Sequence, residues 1–517
     1  MNSKTISLLP PESDLQVTAR PLELSEAAVA RADGAVLLLE KSATPAKALA
    51  GLPHAGLWQA LYAAQSRGGQ DAPILVTRLP NRRHTLAVVG FVKPGASGFE
   101  RLALAGKLAG EVSKPGMEVL QLHAPGAASD AIRIERLEAL LSAVLAHAVP
   151  MPEWKSKPTA KSDLRRISIA SGPSAAYDRS IAIAAGNHLA RWLATLPPNH
   201  LDTLGYRQLL QQLARREGWS FRFYDMDALE KLGAGAFLAV ARANPHRGAG
   251  IARLTYRPRR KAGKAQSQAL ALVGKGICFD TGGINLKPHK SMFMMHGDMQ
   301  GSAVAVGTLL ALSRLDAAQP IDCWLAITEN EIGPTAFRPQ EVVRAANGVT
   351  IQVVHSDAEG RMVLADTLAL ASREKPRLMI DFATLTGACV VAITDRYAGA
   401  FTNRPDLHDW LQRTGRDSGE RVWCFPMDED FDAELESKVA DIQQCTPDSK
   451  GDHILAARFL GKFVEATVPW VHVDLAASEH KGGLAHVPTE FTGFGVRYAV
   501  HLLGDAAALH ATLQAPN

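Results

Sequence analysis

Hydrophobic and polar positions along the chain repeat with two different periods. Short runs in which most positions are apolar or β-branched read as strands: AVLLLE (Ala35–Glu40), ILVTRL (Ile74–Leu79), TLAVVGFV (Thr85–Val92) and MEVLQL (Met117–Leu122). The Ala- and Leu-rich stretches between them read as helices. This rhythm over residues 1 to about 150 predicts an α/β domain. Between Val149 and Pro173 the chain turns polar and rich in Pro, Lys and Ser, with one short strand, RRISIAS, before Gly172. A domain boundary is expected near Gly172. Beyond it, an amphipathic helix is predicted from about Ala175 to Leu196, halted by LPPNH. Strand candidates then recur to the C-terminus: ARLTYRP, QALALVG, CWLAITE, VTIQVV, LMIDFA and WVHVDLA.

Composition changes this picture little. The 517 residues suffice for two or three domains, and 47% hydrophobic with 21% charged residues is ordinary for a soluble globular protein. A net charge of +4 does not announce a nucleic-acid or membrane partner. The basic cluster RPRRKAGK (Arg257–Lys264) lies between two strand-like runs and reads as a solvated hairpin tip. The N-terminal stretch has no continuous apolar core and does not read as a signal peptide, and Leu137–Val149 is too short and interrupted to span a bilayer. Five scattered cysteines without a CxxC pair read as reduced thiols, so the expected location is cytoplasmic.

Several common motifs are absent: no Walker loop, no GxSxG, no HExxH, and a GKGICF that lacks the third glycine of a dinucleotide fingerprint. The chemistry concentrates elsewhere, in two segments where charge meets apolar runs. In Ala271–Leu312, a Val/Leu-rich strand is read as ending at Gly274. Lys275, Asp280, a Gly-rich turn, Lys287 and Asp298 follow, with Asp298 opening a helix rich in small residues. Around VVHSDAEGRMVLADTLALA (Val353–Ala371), an Asn347-Gly348 turn precedes the strand VTIQVV, and Asp357, Glu359 and Arg361 stand at the start of a helix beginning at about Gly360. Ligands of parallel α/β sheets bind outside the carboxyl ends of the strands, which puts all of these residues in one crevice. Four carboxylates so placed would repel each other, and two divalent cations would balance them. Singly, each residue also has an ordinary role. Asp357 could cap a helix, Arg361 could pair with Glu359 at the surface, and the lysines could be solvated.

At these residues the chain resembles the leucyl aminopeptidase (cytosol aminopeptidase) family. HSDAEGRM (His355–Met362) is similar to its N-T-D-A-E-G-R-L signature, VGKGICFDTGGINLKP to its V-G-K-G-x-x-F-D-[ST]-G-G-x-x-x-K block, and DFATLTGA (Asp381–Ala388) also matches. The similarity runs from about Ala175 to Arg497, and the N-terminal third shares only the α/β rhythm. The resemblance implies a smaller N-terminal α/β, macro-like domain with its linker (1–172). It implies a larger C-terminal α/β di-metal catalytic domain (173–517) with a mixed central sheet flanked by helices. It implies two divalent metal ions per subunit, zinc or manganese with magnesium as a further option. Lys275, Asp280, Asp298 and Glu359 would hold one ion, and Asp280, Asp357 and Glu359 the other. Lys287 would polarise the substrate carbonyl, and Arg361 would hold a bicarbonate acting as general base. Met295, Ala358, Thr384, Leu385 and Gly387 would line the pocket for the first side chain of a peptide with a free N-terminus. A homohexamer and the absence of membrane association complete the expectation.

Three positions depart from the family pattern. His355 replaces the usual Asn, His296 stands where a basic residue is common, and Gln300 where Gly is common. The competing function is a nucleic-acid-binding regulator on the same scaffold, which the distribution of basic residues on the assembled surface and the salt dependence of any DNA binding would discriminate.

Overall fold

The computed structural model describes residues 7–42, 44–66, 74–159, 162–244, 246–259, 268–448 and 450–514. The basic cluster Arg257–Lys264 lies outside the described residues from position 260 onward. The chain divides into two compact units. One comprises Pro11–Ala184 with Lys481–Glu490, and the other is built on Ala185–His480 with short stretches from the two ends of the chain. Ala184 lies within a helix that spans Ala175–Thr195.

The first unit holds a six-stranded sheet of β1 (Gln16–Arg20), β2 (Gly34–Glu40), β3 (Ile74–Arg78), β4 (Leu86–Val92), β5 (Val119–His123) and β6 (Arg166–Ala170), in the order β1-β6-β5-β2-β4-β3. All neighbours are parallel except β3 and β4. Helices Gly98–Val112 and Asp130–Ala148 bury Leu102, Leu108, Leu137 and Leu141 against one face. A second cluster around Trp58 and Leu49 covers the other. Such two-sided cover explains why β2 and β4 are apolar at nearly every position.

The second unit is organised by an eight-stranded sheet. Its strands are β7 (Ser220–Asp225), β8 (Gly250–Tyr256), β9 (Leu270–Asp280), β10 (Ile321–Asn330), β13 (Leu378–Ala383), β14 (Ala398–Thr402), β15 (Val422–Cys424) and β17 (Trp470–Asp474). They run in the order β15-β14-β17-β13-β9-β10-β8-β7. The central four, β17, β13, β9 and β10, are parallel, and antiparallel pairings join them to β14 and β8, so the sheet is mixed, as expected. Helices Gln300–Arg314 and Glu359–Ser372 flank it and are buried along almost their whole length, so most positions on every face are apolar or small. The small residues of the first helix permit this. A Cβ on Gly301 would stand 2.1 Å from the carbonyl oxygen of Phe382, so the helix backbone lies directly on β13. Among the described residues, no helix is long and apolar enough to cross a membrane.

Three local expectations need correction. First, β9 does not stop at Gly274 but continues to Asp280, because β10 pairs with it that far. Second, the helix after Asp298 starts at Gln300. Third, VTIQVV contributes only β12 (Thr350–Gln352), outside the central sheet. With β11 (Val342–Arg344) and β16 (Ile442–Gln443) it forms a separate three-stranded sheet. The Asn347-Gly348 turn does join β11 and β12, with Gly348 at φ 96°.

Gly301→Ala should cost about 1–3 kcal/mol, since the backbone oxygen it would strike cannot rotate away. Urea denaturation of the metal-free protein checks this, and an unchanged midpoint would mean the helix has room to retreat.

Candidate functional site

The site forms where the carboxyl ends of β9, β10 and β13 meet the starts of two helices. Lys275 and Asp280 both belong to β9, five residues apart, and in a regular strand that spacing puts side chains on opposite faces. Between the pairs Ile277–Thr328 and Asp280–Asn330, however, β9 advances three residues while β10 advances two. This bulge restores Asp280 to the face that carries Lys275. The turn after β9 closes through a hydrogen bond from Lys287 N–H to the Thr281 carbonyl, 2.9 Å, and so presents Lys287 beside the strand end. A short 3-10 turn, Ser356–Ala358, and the first residue of the helix Glu359–Ser372 supply Asp357 and Glu359. Buried Ser356 ties this turn to the one after β9, donating from Oγ to the Gly282 carbonyl (2.7 Å) and accepting at Oγ from Asn285 N–H (2.8 Å).

The charged groups interlock. Lys275 Nζ lies 2.7 Å from Asp298 Oδ1 and 3.1 Å from Glu359 Oε1, and donates to the Thr384 carbonyl at 2.9 Å. Lys287 Nζ lies 2.8 Å from Asp280 Oδ2 and 2.5 Å from Asp357 Oδ1. Lys275, Asp280, Asp298 and Glu359 are almost wholly buried. Gly360 makes this possible, because a Cβ there would sit 2.5 Å from Lys275 Cε. Burial pushes Asp280 and Asp298 above the usual carboxyl range, reinforced by their carboxylate neighbours and only partly offset by the lysines. For Lys275 and Lys287 burial works against the charge, yet the surrounding carboxylates outweigh it and push both upward. Glu359 is held below its ordinary value because Lys275 and Lys287 outweigh its burial.

The isolated roles open to these residues are not the ones they adopt. Asp357 does not cap the helix, whose N-cap is Ala358. Neither lysine is solvated. Arg361 is buried and does not pair with Glu359. Its Nη2 donates to Asp452 Oδ2 at 2.6 Å and its Nη1 to the Gln444 carbonyl at 3.2 Å. Among the expected pocket residues, Ala358 adjoins Glu359, Met295 lies three residues before Asp298, and Thr384 Oγ1 donates to Asp298 Oδ1 at 2.7 Å. Leu385 follows Thr384, and Gly387 is solvent-exposed. His355 is also exposed and accepts at Nδ1 from Asp357 N–H, 3.2 Å. His296 packs its ring edge-to-face on Phe491, and Gln300 donates to Ser478.

Asn330 escaped the sequence reading. It is buried at the end of β10, and its Nδ2 donates to Asp280 Oδ1 (2.8 Å), the Ser356 carbonyl (3.1 Å) and Glu359 Oε2 (3.4 Å). Its one signal was its place at the carboxyl end of a central strand.

This arrangement suits divalent cations. With every group ionised, four carboxylates and two ammonium groups leave −4 + 2 = −2. Asp298 Oδ2 is buried without a hydrogen-bond partner, and Asp280, Asp357 and Glu359 each offer an oxygen within 4.8 Å of the others. Carboxylate oxygens with one amine form a donor set for hard or borderline metals. Among the described residues, a cavity of about 670 Å³ in the other unit, lined by His123, Asp130 and Arg133 among others, presents no comparable cluster.

Residues 188–500 match the model of the cytosol aminopeptidase family, catalytic domain. A Rhodopseudomonas palustris protein named "Probable cytosol aminopeptidase" is 34% identical over 480 residues, 90% of this chain and 93% of that protein. One of the same name from Afipia carboxidovorans is 39% identical over 332 residues, 64% of this chain and 65% of that protein, just under two thirds of its length. Among solved structures, the bottromycin maturation enzyme BotP in complex with Mn is 29% identical at a TM-score of 0.79, covering 93% of this chain and 100% of that one. A mutant of tomato leucine aminopeptidase is 25% identical at a TM-score of 0.81, covering 96% and 98%.

Replacing Lys275 by Met, of similar length, would leave Asp298 and Glu359 without their shared counterion. The metal-free variant should lose about 3–5 kcal/mol of stability at pH 8, the usual cost of breaking a buried pair. The loss should shrink as pH falls, because protonating the orphaned carboxyls removes the uncompensated charge. Denaturation midpoints at pH 8 and pH 5.5 check both the size and the sign.

Proposed function

Because the chain belongs to the cytosol aminopeptidase family, we propose that it is a metal-dependent aminopeptidase. It would remove N-terminal residues, hydrophobic ones of leucine type in preference, from peptides with a free N-terminus. The observation that carries this reading is the convergence of Asp280, Asp298, Asp357 and Glu359 on two buried lysines.

Lys275, Asp280, Asp298 and Glu359 would hold one divalent ion, and Asp280, Asp357 and Glu359 the second, with zinc, manganese or magnesium each compatible with such donors. The two ions would supply Lewis acidity and a water of lowered pKa. Lys275 must give up its proton to act as a donor, so metal uptake releases protons. Lys287 is mostly but not wholly buried, at 13% side-chain exposure, and so can meet a substrate while staying fixed. Its ammonium would donate to the carbonyl oxygen of the scissile bond and stabilise the negative charge that grows there. Met295, Ala358, Thr384 and Leu385 are partly exposed, Gly387 is exposed, and all are small or apolar except for the Thr384 hydroxyl. They would form a surface for an aliphatic first side chain. A homohexamer in the cytoplasm remains the expected setting, and sedimentation at the monomer mass would remove the assembly part. The nucleic-acid alternative gains no observation of its own.

Metal-depleted protein should not hydrolyse leucine p-nitroanilide, and added zinc or manganese should restore turnover, while the N-acetylated substrate stays intact. No hydrolysis under any of these conditions, with the fold preserved, would sink the reading. Glu359→Gln should lower metal occupancy by elemental analysis, and unchanged occupancy would place the ions elsewhere.

A further inference from the structure

The proposed reaction needs a group that takes a proton from the attacking water and returns one to the departing amine. The clustered carboxylates are committed. Asp280 and Asp357 face Lys287, Asp298 and Glu359 face Lys275, and Asn330 holds Asp280 and Glu359 as well. Asp452 lies outside that set of proposed metal ligands and, like Asp298, keeps one oxygen without a hydrogen-bond partner. It is the first residue of the helix Asp452–Gly461, entered through Gly451 at φ 63°. Its Oδ2 accepts from Arg361 Nη2 at 2.6 Å, two residues along the helix from Glu359. Its Oδ1 is buried and has no hydrogen-bond partner. Leaving a buried acceptor unsatisfied costs about 1–3 kcal/mol, and such atoms call for a functional explanation.

The surroundings fix this carboxylate relative to the cluster. The Gln444 carbonyl takes a second Arg361 N–H, and its side chain accepts from Val354 and His355 N–H while donating to the Ala358 carbonyl. One residue thereby ties Arg361 and the loop bearing Asp357 into a single frame. The Asp452 charge is close enough to act on the His355 imidazole, which itself bonds the Asp357 backbone.

We propose that Asp452, held by Arg361, is the proton acceptor and donor of the reaction, a carboxylate built into the chain where a bicarbonate from solution was expected. This rests on the aminopeptidase reading. One O–H bond of the water breaks and its proton goes to Asp452 Oδ1. The water oxygen bonds the carbonyl carbon, and the C=O pair moves onto the oxygen beside Lys287. As the C–N bond breaks, Asp452 passes its proton to the amine nitrogen, leaving a carboxylic acid and a free amine. One water is consumed and nothing is oxidised.

The test uses full-length, metal-loaded wild type, Asp452→Gly and Asp452→Asn, all with metal content and circular dichroism verified. Wild type should turn over leucine p-nitroanilide equally well with bicarbonate removed or added. Asp452→Gly should be slower by about 100-fold or more, the usual weight of a general base. Formate or bicarbonate should restore at least a tenth of the lost rate to Asp452→Gly, whereas Asp452→Asn, whose amide fills the space, should not be rescued. Independently of turnover, carbon-13 NMR should detect labelled bicarbonate bound to Asp452→Gly but not to wild type. Full-speed variants, wild type that binds bicarbonate and is accelerated by it, or a Gly variant that neither anion repairs would overturn the proposal. The last of these leaves Asp452 as a counterion only. If wild type itself were inert, the aminopeptidase reading would fall, and the NMR result would still decide whether Asp452 excludes bicarbonate from Arg361.

Discussion

The structure around the site depends on one electrostatic constraint: four carboxylates are gathered with too little positive charge to satisfy them. Lys275 and Lys287 each bridge two acids, leaving two negative charges uncompensated when every group is ionised. Burial raises the cost of each charge, which is why Asp280 and Asp298 are driven toward their neutral forms. A protein does not keep such a cluster for stability, since apolar packing of the same volume would do as well or better. The cluster makes sense as a site waiting for cations, and the rest of the fold can be understood as the means of keeping it in place.

That means is largely backbone. The bulge in β9 turns Asp280 to the side of Lys275, and the missing side chain at Gly360 leaves space for the lysine stem. Gly301 lets a helix lie directly on β13, which fixes the strand end preceding Thr384. Ser356, Asn285 and Asn330 then join three chain segments with neutral hydrogen bonds, adding rigidity without adding to the charge imbalance. An aspartate in place of Asn330 would offer no donor and a fifth negative charge.

What could be seen in the sequence follows the same division. Alternating apolar runs revealed the α/β rhythm and most central strands, because buried parallel strands must be apolar almost throughout. Asp280, Asp298, Asp357 and Glu359 stood out as charges placed against such runs. The strand VTIQVV misled, since an apolar run of that length is equally at home in a small separate sheet. The short strands β14 and β15 carry too few residues for a pattern to emerge. The bulge, Asn330 and the pairing of Arg361 with Asp452 were invisible for another reason. Each is a tertiary relation, and Arg361 and Asp452 are separated by 91 positions in the chain.

The Arg361–Asp452 pair brings the electrostatic constraint to its last step. A guanidinium buried this deeply beside an acidic cluster needs an anion of its own, or its desolvation goes unanswered. An anion from solution must surrender translational freedom each time it binds, and its occupancy depends on its concentration. Asp452 is instead delivered by a covalent connection, at the start of a helix whose dipole favours negative charge. Only one of its oxygens meets Arg361, so the other keeps its capacity to accept a proton. A tethered carboxylate thus satisfies the arginine permanently while leaving one oxygen without a hydrogen-bond partner, which a fully bidentate pair could not do. On this physical ground the residue beside Arg361 that matters most for the reaction is Asp452, not His355, whose imidazole accepts from the backbone N–H of Asp357.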